Sequence, residues 1–454
     1  MTGVLDLKVA AARAAGAASR RAGRGGTSMP GKVLMRLEPH AIARLAARLE
    51  HGSAVISATN GKTTTAAMVA AVLERRGTRL VHNRAGANMA GGVASALLQA
   101  TRRGSRLAGD TGLFEVDEFW LGQVVDELQP RALLLANLFR DQLDRYGELD
   151  TIADRWAQVA ASTDAALVLN ADDPTVADLG RDAGATYFGI EDDGVAMSQM
   201  QHAADATHCR RCGAPYVYDA IYLGHLGRYH CESCGAVRPE PQVAARAIEL
   251  RGVRAARFTL ATPAGDRAID LPLPGLYNVY NALAAAALSM QLGATLDQVA
   301  AGLAAVSPAF GRAETLRVGG RDLSILLVKN PAGANEVLRT LVLEGGEHDL
   351  LCVLNDNIAD GRDVSWVWDA DFEVLASRVR VATCSGTRAA EMALRLKYAG
   401  VPTDRLVVEP GLDAALDRAL GDGAGALYAL PTYTAMLALR EALVGRGAAR
   451  GSFV

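Results

Sequence analysis

Short apolar runs alternate with alanine-rich stretches of helical spacing along most of this chain. The first run, 54–56, reads as a strand, and 62–76 reads as a helix closed by Gly77. Further strand-like runs fall at 78–82, 112–116, 131–137 and 165–170, with helical stretches such as 91–102 between them. That alternation predicts a parallel sheet covered by helices on both faces. The order breaks near Ala206. Beyond it, 245–274 carries alternating runs such as Ala256-Arg257-Phe258-Thr259-Leu260, which suit antiparallel strands rejoining the first sheet. Helices at 278–292 and 296–306 close this block, and a second series follows with strands at 323–328, 350–354, 379–383, 406–408 and 426–430. The expected fold is α/β: a leader and helix over 1–50, a central domain with a parallel sheet over 51–306 interrupted by an insert at 206–238, and a smaller C-terminal α/β domain over 307–454. A chain of 454 residues is too long for one core, which agrees with this division. There is no internal repeat.

Charge narrows the function classes. The net charge is −3, which argues against a protein that wraps nucleic acid, because neutralising phosphates takes an excess of Lys and Arg. The basic exception is the N-terminus, where Lys8, Arg13, Arg20, Arg21, Arg24, Lys32 and Arg36 occur with no acid between them. This reads as a solvated helix face followed by a Gly-rich linker, with peripheral contact to an anionic membrane surface as the alternative. Arg20-Arg21 lacks the apolar stretch of an export signal, and no apolar run is long enough to span a bilayer, so a cytoplasmic location is expected.

Four of the six cysteines form two pairs, Cys209-Arg-Arg-Cys212 and Cys231-Glu-Ser-Cys234. In a cytosolic chain that pattern means metal rather than disulfides, and the spacing between the pairs is that of a zinc ribbon. Gly213 and Gly235 follow the pairs and permit a tight turn around an ion. Four thiolates make a closed tetrahedral site, so the expected Zn²⁺ is structural; His208 and His230 remain alternatives to a neighbouring cysteine.

Between the first strand and the first helix lies Ser57-Ala58-Thr59-Asn60-Gly61-Lys62-Thr63-Thr64. A Gly-Lys-Thr turn that opens a helix gathers backbone N–H groups and the positive helix end around a phosphate. Lys62 is placed to reach the terminal phosphates and Thr63 to hold Mg²⁺, although Ile56 stands where the general pattern has its first glycine.

The run Thr59 to Thr64 resembles the TNGKTT loop of the Mur ligases and folylpolyglutamate synthases, ATP-dependent enzymes that form amide bonds, with Ala58 in place of a family glycine. The resemblance implies a Mur-ligase-like P-loop domain and an ATP site formed by Thr59, Asn60, Gly61, Lys62, Thr63 and Thr64. It assigns Mg²⁺ to Thr63 and to Glu115, whose place at the C-terminal edge of a parallel sheet is where ligands bind. Asn137 and Asp141 lie in a run similar to one that carries a metal-binding histidine in the family, replaced here by Gln142. Asn170-Ala-Asp-Asp-Pro174 matches a family strand-end turn. Gly275-Leu-Tyr277-Asn278 resembles the segment whose asparagine touches the nucleotide base, with Tyr277 in place of histidine. Gly311-Arg312 resembles a linker arginine that approaches the phosphates as the last domain closes.

Within that family, the cysteine insert combined with Asp360-Gly-Arg-Asp363, His82 to Met89 and Lys329-Asn330-Pro331-Ala332-Gly333 resembles the MurT proteins over essentially the whole chain. That resemblance implies the ligase half of a lipid II isoglutaminyl synthase. Such a subunit uses ATP to activate the α-carboxylate of D-glutamate in the lipid II stem peptide, and takes ammonia from a separate GatD-like glutamine amidotransferase subunit. Asp363 is implied to complete the partner's Cys-His pair, and the enzyme is implied to act at the inner face of the cell membrane. Cys384 and Cys352 read as small buried residues at or inside strands. Two other readings stay open: a Mur-type ligase that adds an amino acid, and a nucleotide-gated scaffold of wall synthesis without chemistry.

Overall fold

A computed structural model describes residues 2–21, 28–83, 87–102, 106–141, 149–202, 204–306, 314–421, 423 and 425–449. Nine strands form the larger sheet. They are β1 (Ser53–Ser57), β2 (Leu80–His82), β3 (Thr111–Glu115), β4 (Ala132–Leu135), β5 (Ala166–Asn170), β6 (Thr186–Ile190), β9 (Val243–Arg251), β10 (Ala255–Thr262) and β11 (Gly265–Leu271), in the spatial order β11-β10-β9-β6-β5-β4-β1-β3-β2. The first six and β9 run parallel, β10 pairs antiparallel with β9 and β11 antiparallel with β10, as the alternation at 245–274 predicts. Side chains alternate across the sheet: Ala54 and Ile56 enter one core, Val55 the other. β1 is buried along its length, flanked by β3 and β4. The chain therefore leaves β1 at the point where the strand order reverses, the usual ligand crevice of an open α/β sheet.

Helices α4 (Lys62–Arg75), α9 (Leu276–Gln291) and α10 (Leu296–Ala304) cover one face. The other carries α1 (Thr2–Arg21), α2 (Met29–Leu37), α3 (Ala41–Ala46), α5 (Ala90–Ala100), α6 (Leu121–Leu128), α7 (Leu149–Ser162) and the short α8 (Pro174–Asp178). The cysteine segment wraps a separate hairpin, β7 (Val217–Leu223) with β8 (Leu226–His230).

Six strands form the second sheet: β12 (Glu314–Val318), β13 (Arg321–Ile325), β14 (His348–Val353), β15 (Val379–Ser385), β16 (Leu406–Val408) and β17 (Leu427–Pro431), ordered β12-β13-β17-β14-β15-β16. Helices α11 (Pro331–Val342), α12 (Ala389–Tyr398), α13 (Leu412–Gly421) and α14 (Tyr433–Gly445) pack around it. Besides β6 and the hairpin strands β7 and β8, which fall outside the predicted runs, the hydrophobic pattern misses β12. It is an antiparallel edge strand alternating half-buried and exposed residues, so its apolar signal is weak.

The N-terminal segment also differs from a solvated leader. Leu5, Val9 and Ala12 of α1 are buried in the core, Lys8 pairs with Glu38 at 3.1 Å, and Arg13 donates to the Leu98 and Thr101 carbonyls. The basic residues Lys8 and Arg13 thus tie the helix to the protein. α2 lies tight on α5: a Cβ added at Gly31 would sit 2.0 Å from the Gly91 carbonyl oxygen and 2.5 Å from the Ser95 nitrogen. Gly31→Ala should therefore push the two helices apart and destabilise the fold by about 1–3 kcal/mol, read as a lowered midpoint in thermal or urea denaturation.

Candidate active site

The turn after β1 is built by its neighbours. Asn137, just past β4, clamps it twice: its side-chain oxygen accepts from Asn60 N at 2.9 Å and its amide donates to the Asn60 carbonyl at 3.0 Å. Its own carbonyl accepts from Thr59 N at 3.0 Å. Gly61 has φ +85°, and a Cβ there would meet Asn281 Oδ1 at 2.0 Å, so both conformation and crowding demand glycine. α4 then starts at Lys62 with no side-chain cap and no acid in its first turn, which leaves its N–H groups and positive end facing the crevice. The Ala58 methyl packs into the core with Ile56 and Ala66.

Charge concentrates beside the turn. Lys62 Nζ donates to Glu118 at 2.8 Å and to the Ala58 carbonyl. Burial opposes the ammonium charge, but Glu118, Asp117 and Asp141 outweigh it and raise the Lys62 pKa. Burial likewise works against ionised Glu118, and Lys62 and Lys329 overcome it. Thr63 Oγ1 donates to Glu115 Oε2 at 2.8 Å. Glu115 ends β3 in register with Ile56 of β1, and the Asn83 side chain grips its backbone on both sides, at 3.0 and 2.8 Å. A hydroxyl and a carboxylate held together, with Asp117 lining the same cleft, form the all-oxygen donor set that suits Mg²⁺.

Asn278 and Asn281 approach from α9. Asn278 donates to the Pro274 carbonyl at 2.8 Å and accepts from Asn281 at 3.0 Å; Asn281 in turn accepts from Thr65 at 3.3 Å. The second domain closes the cleft with Lys329 and Asn330. Lys329 Nζ donates to the Thr59 carbonyl at 3.1 Å and pairs with Asp141, and Asn330 donates to Asn60 Oδ1 at 3.0 Å. Together these elements enclose a cleft of about 350 Å³.

The structure thus brings Thr59 to Thr64, Asn278, Asn137 and Asp141 to one cleft, with Glu115 held against Thr63. Asp363 stands apart from them. It is exposed in the loop after β14, where its Oδ1 accepts from Ser365 N at 2.8 Å; hydrogen bonds from Ser365 hold its pKa below the usual carboxylate range. Of its neighbours, Asp356 is pinned to Arg388 and Asp360 to Thr434. Arg312 and Gln142 lie outside the described residues. In the strand-end turn, Asp173 caps α8 and accepts from Leu138 N, while Asp172 pairs with Arg238; both are structural. Sequence reasoning did not single out Glu118, Asn330 or Glu336, all of which line the cleft or reach its turn. For Glu118 a signal existed: a lysine buried in such a turn needs a counter-charge, and Glu118 sits in the acidic run just past β3.

The four cysteine sulfurs lie within 4.8 Å of one another. Cys209–Cys234 and Cys212–Cys231 are 3.6 and 3.5 Å apart, close to the ~3.8 Å edge of a tetrahedron with zinc–thiolate bonds. Two matching turns build the site, Gly213 N to Cys209 O at 2.7 Å and Gly235 N to Cys231 O at 2.9 Å. His208 and His230 turn instead to Thr207 and Asp219. The donor set fits a structural Zn²⁺.

Fold and site together define an ATP-dependent ligase of the Mur class. Residues 56–231 match the Mur ligase middle domain, and residues 327–436 match the MurT ligase C-terminal family. The chain is 34% identical to the lipid II isoglutaminyl synthase (glutamine-hydrolyzing) subunit MurT of Staphylococcus aureus, over 95% of this chain and 96% of that protein. It is 32% identical to the Streptococcus pneumoniae protein of the same name, over 97% and 98%. Among solved structures, a pseudomurein peptide ligase type C from Methanothermus fervidus superposes with a TM-score of 0.70 at 24% identity, covering 88% of this chain and 79% of that one. The chain belongs to the MurT family.

Gly61→Ala should drive the loop into Asn281 and weaken binding of ATP at least about tenfold, roughly 1.4 kcal/mol, measured by calorimetry on folded protein.

Proposed function

We propose that this chain is the ligase subunit of a lipid II isoglutaminyl synthase in peptidoglycan synthesis, converting the α-carboxylate of D-glutamate in the stem peptide to the carboxamide. The carrying observation is the cleft itself: a phosphate-type loop with Lys62 among carboxylates and Thr63 against Glu115, closed by Lys329 and Asn330 of the second domain. In this reading Thr59 to Thr64 and Asn278 bind ATP, Arg312 approaches its phosphates, and residues 307–454 act as the closing domain over 51–306. Thr63 and Glu115 would hold Mg²⁺, which would supply positive charge against the phosphates.

A substrate carboxylate oxygen attacks the γ-phosphorus, the bond to ADP breaks, and an acyl phosphate results. Lys62 stabilises the charge that develops on the transferred group, and closure by Lys329 and Asn330 keeps water from the activated acyl group. Ammonia then attacks the acyl carbon and phosphate leaves with the former carboxylate oxygen. Cys384 does not make that ammonia: burial pushes its thiol up to about 12, the opposite of an activated nucleophile. The nitrogen source is a GatD-like glutamine amidotransferase subunit. Exposed Asp363, ionised at neutral pH, is suited to orient the partner's histidine, and Ile358 and Trp368, exposed in the same segment after β14, offer apolar contact. In this reading the enzyme meets lipid II at the inner membrane face as a peripheral protein; among the described residues no helix is long and apolar enough to cross a membrane.

The reading is tested with the chain co-purified with the glutamine amidotransferase, lipid II, ATP and either glutamine or ammonium. The product should be lighter by the difference between a hydroxyl and an amino group, with ADP released. Lys62→Ala should abolish amidation from both nitrogen sources. Asp363→Asn should lose glutamine-driven product while keeping ammonium-driven product. Incorporation of an amino acid instead of ammonia would establish the amino-acid-adding alternative. The ribbon gives a separate expectation: Cys209→Ser should bind less zinc by elemental analysis and melt at a lower temperature than the parent chain, because a structural zinc site contributes directly to folding.

A further inference from the structure

Asp363 lies on a segment, 354–364, that forms neither helix nor strand between the end of β14 and a short 3₁₀ turn at Ser365–Trp368. Irregular chain of this kind holds one shape only where its polar groups are tied down. Much of the segment is exposed, but Asp360 within it is buried, at 5% exposure. A buried carboxylate needs partners, and Asp360 finds them at the start of α14. Its Oδ1 accepts from Thr434 N at 2.7 Å, and its Oδ2 accepts from the Thr434 hydroxyl.

That helix has a residue of its own suited to cap it. Thr432 stands at the N-cap, but its side chain makes no cap bond; its hydroxyl accepts from Asn355 N at 3.1 Å instead. Asp360 supplies the missing acceptor from across the fold. The Thr434 hydroxyl accepts in turn from Asn355 Nδ2 at 3.0 Å and from Asn357 Nδ2 at 2.8 Å. With Asp360 it thereby uses its one donor and both acceptor positions. The far side of the segment is anchored too, by buried Arg395 of α12, which donates to the carbonyls of Val367 at 2.9 Å and Ala370 at 2.6 Å. Asp363 stands exposed between these two anchors. Tyr433 and Ala359, the chain neighbours of Thr434 and Asp360, line the ligase cleft, so the first anchor sits directly behind the cleft wall.

We infer that Thr434, through Asp360, is the positioning residue that holds Asp363 where the partner's histidine meets it. The inference rests on the reading of Asp363 as the acid that orients that histidine, and adds the side chain that fixes its place. Orienting a catalytic group requires placement to about 0.5 Å, and a shift of about 1 Å can cost a hundredfold in rate. One hydroxyl bonded to residues 355, 357 and 360 together gives the segment that precision, and its removal releases all of them at once.

Amidation by the full-length chain in complex with the glutamine amidotransferase tests this, with glutamine or ammonium as nitrogen source and the partner at saturation. Thr434→Val, close in shape but without the hydroxyl, should lower glutamine-driven kcat at least about tenfold while the KM for glutamine and the ammonium-driven rate stay near the parent values. Thr434→Ser, which keeps the hydroxyl, should restore the glutamine-driven rate. The ammonium-driven rate reports in the same preparation that the ligase is folded; should the valine variant not fold, Asp360→Asn, which removes the charge and keeps the size, is read in the same way. An equal loss from both nitrogen sources, no loss from glutamine, or a loss that added partner restores overturns the inference. Asp363→Asn separates it from the reading beneath it. If that variant keeps glutamine-driven product, the role of Asp363 fails and the inference with it; if it loses that product while Thr434→Val does not, only the inference fails.

Discussion

A largely enclosed ammonium is stable only where the fold fixes counter-charges beside it, and Lys62 sets that requirement at the mouth of the large sheet. Glu118 and Asp117 meet it only because β3 lies next to β1, in a register that brings Glu115 level with Ile56. The Asn83 clamp on Glu115 and the Asn137 clamp on Asn60 then fix the loop from either side. The strand order, the two asparagines and the acidic run after β3 are one arrangement, each part of which would be unstable or useless without the others.

The same loop is where the two sheets communicate. Asn330 and Lys329 reach it by hydrogen bonds to Asn60 and the Thr59 carbonyl, so the second domain senses the phosphate turn through its backbone and not through a distant surface. Thermodynamic linkage makes this reciprocal: whatever the closed arrangement adds to ligand affinity, the ligand adds to closure.

Much of this could be seen in the residues alone. Thr59 to Thr64 and the four cysteines carry their chemistry in local spacing, and the parallel strands carry theirs in short apolar runs. What stayed hidden depends on non-local cover. Glu336 occupies a helical position that reads as solvent-facing until another domain is placed over it. α1 is rich in alanine, so its buried Leu5, Val9 and Ala12 give a shallow pattern, and the tight docking of α2 on α5 rests on Gly31 and Gly91, whose close approach has no signature in composition. β12, an edge strand with a wet face, is blurred for a related reason.

The Arg339 contact has a consequence for how the ribbon serves the ligase. Arg339 bonds to the Tyr222 carbonyl within the hairpin that both cysteine pairs flank, and that hairpin supplies Leu223 and Leu226 to the cleft wall. The sulfur cluster therefore acts as a buttress for a wall that none of its own atoms touches. Oxidation of the thiolates, or a chelator that withdraws an ion from them, would slacken that wall from behind.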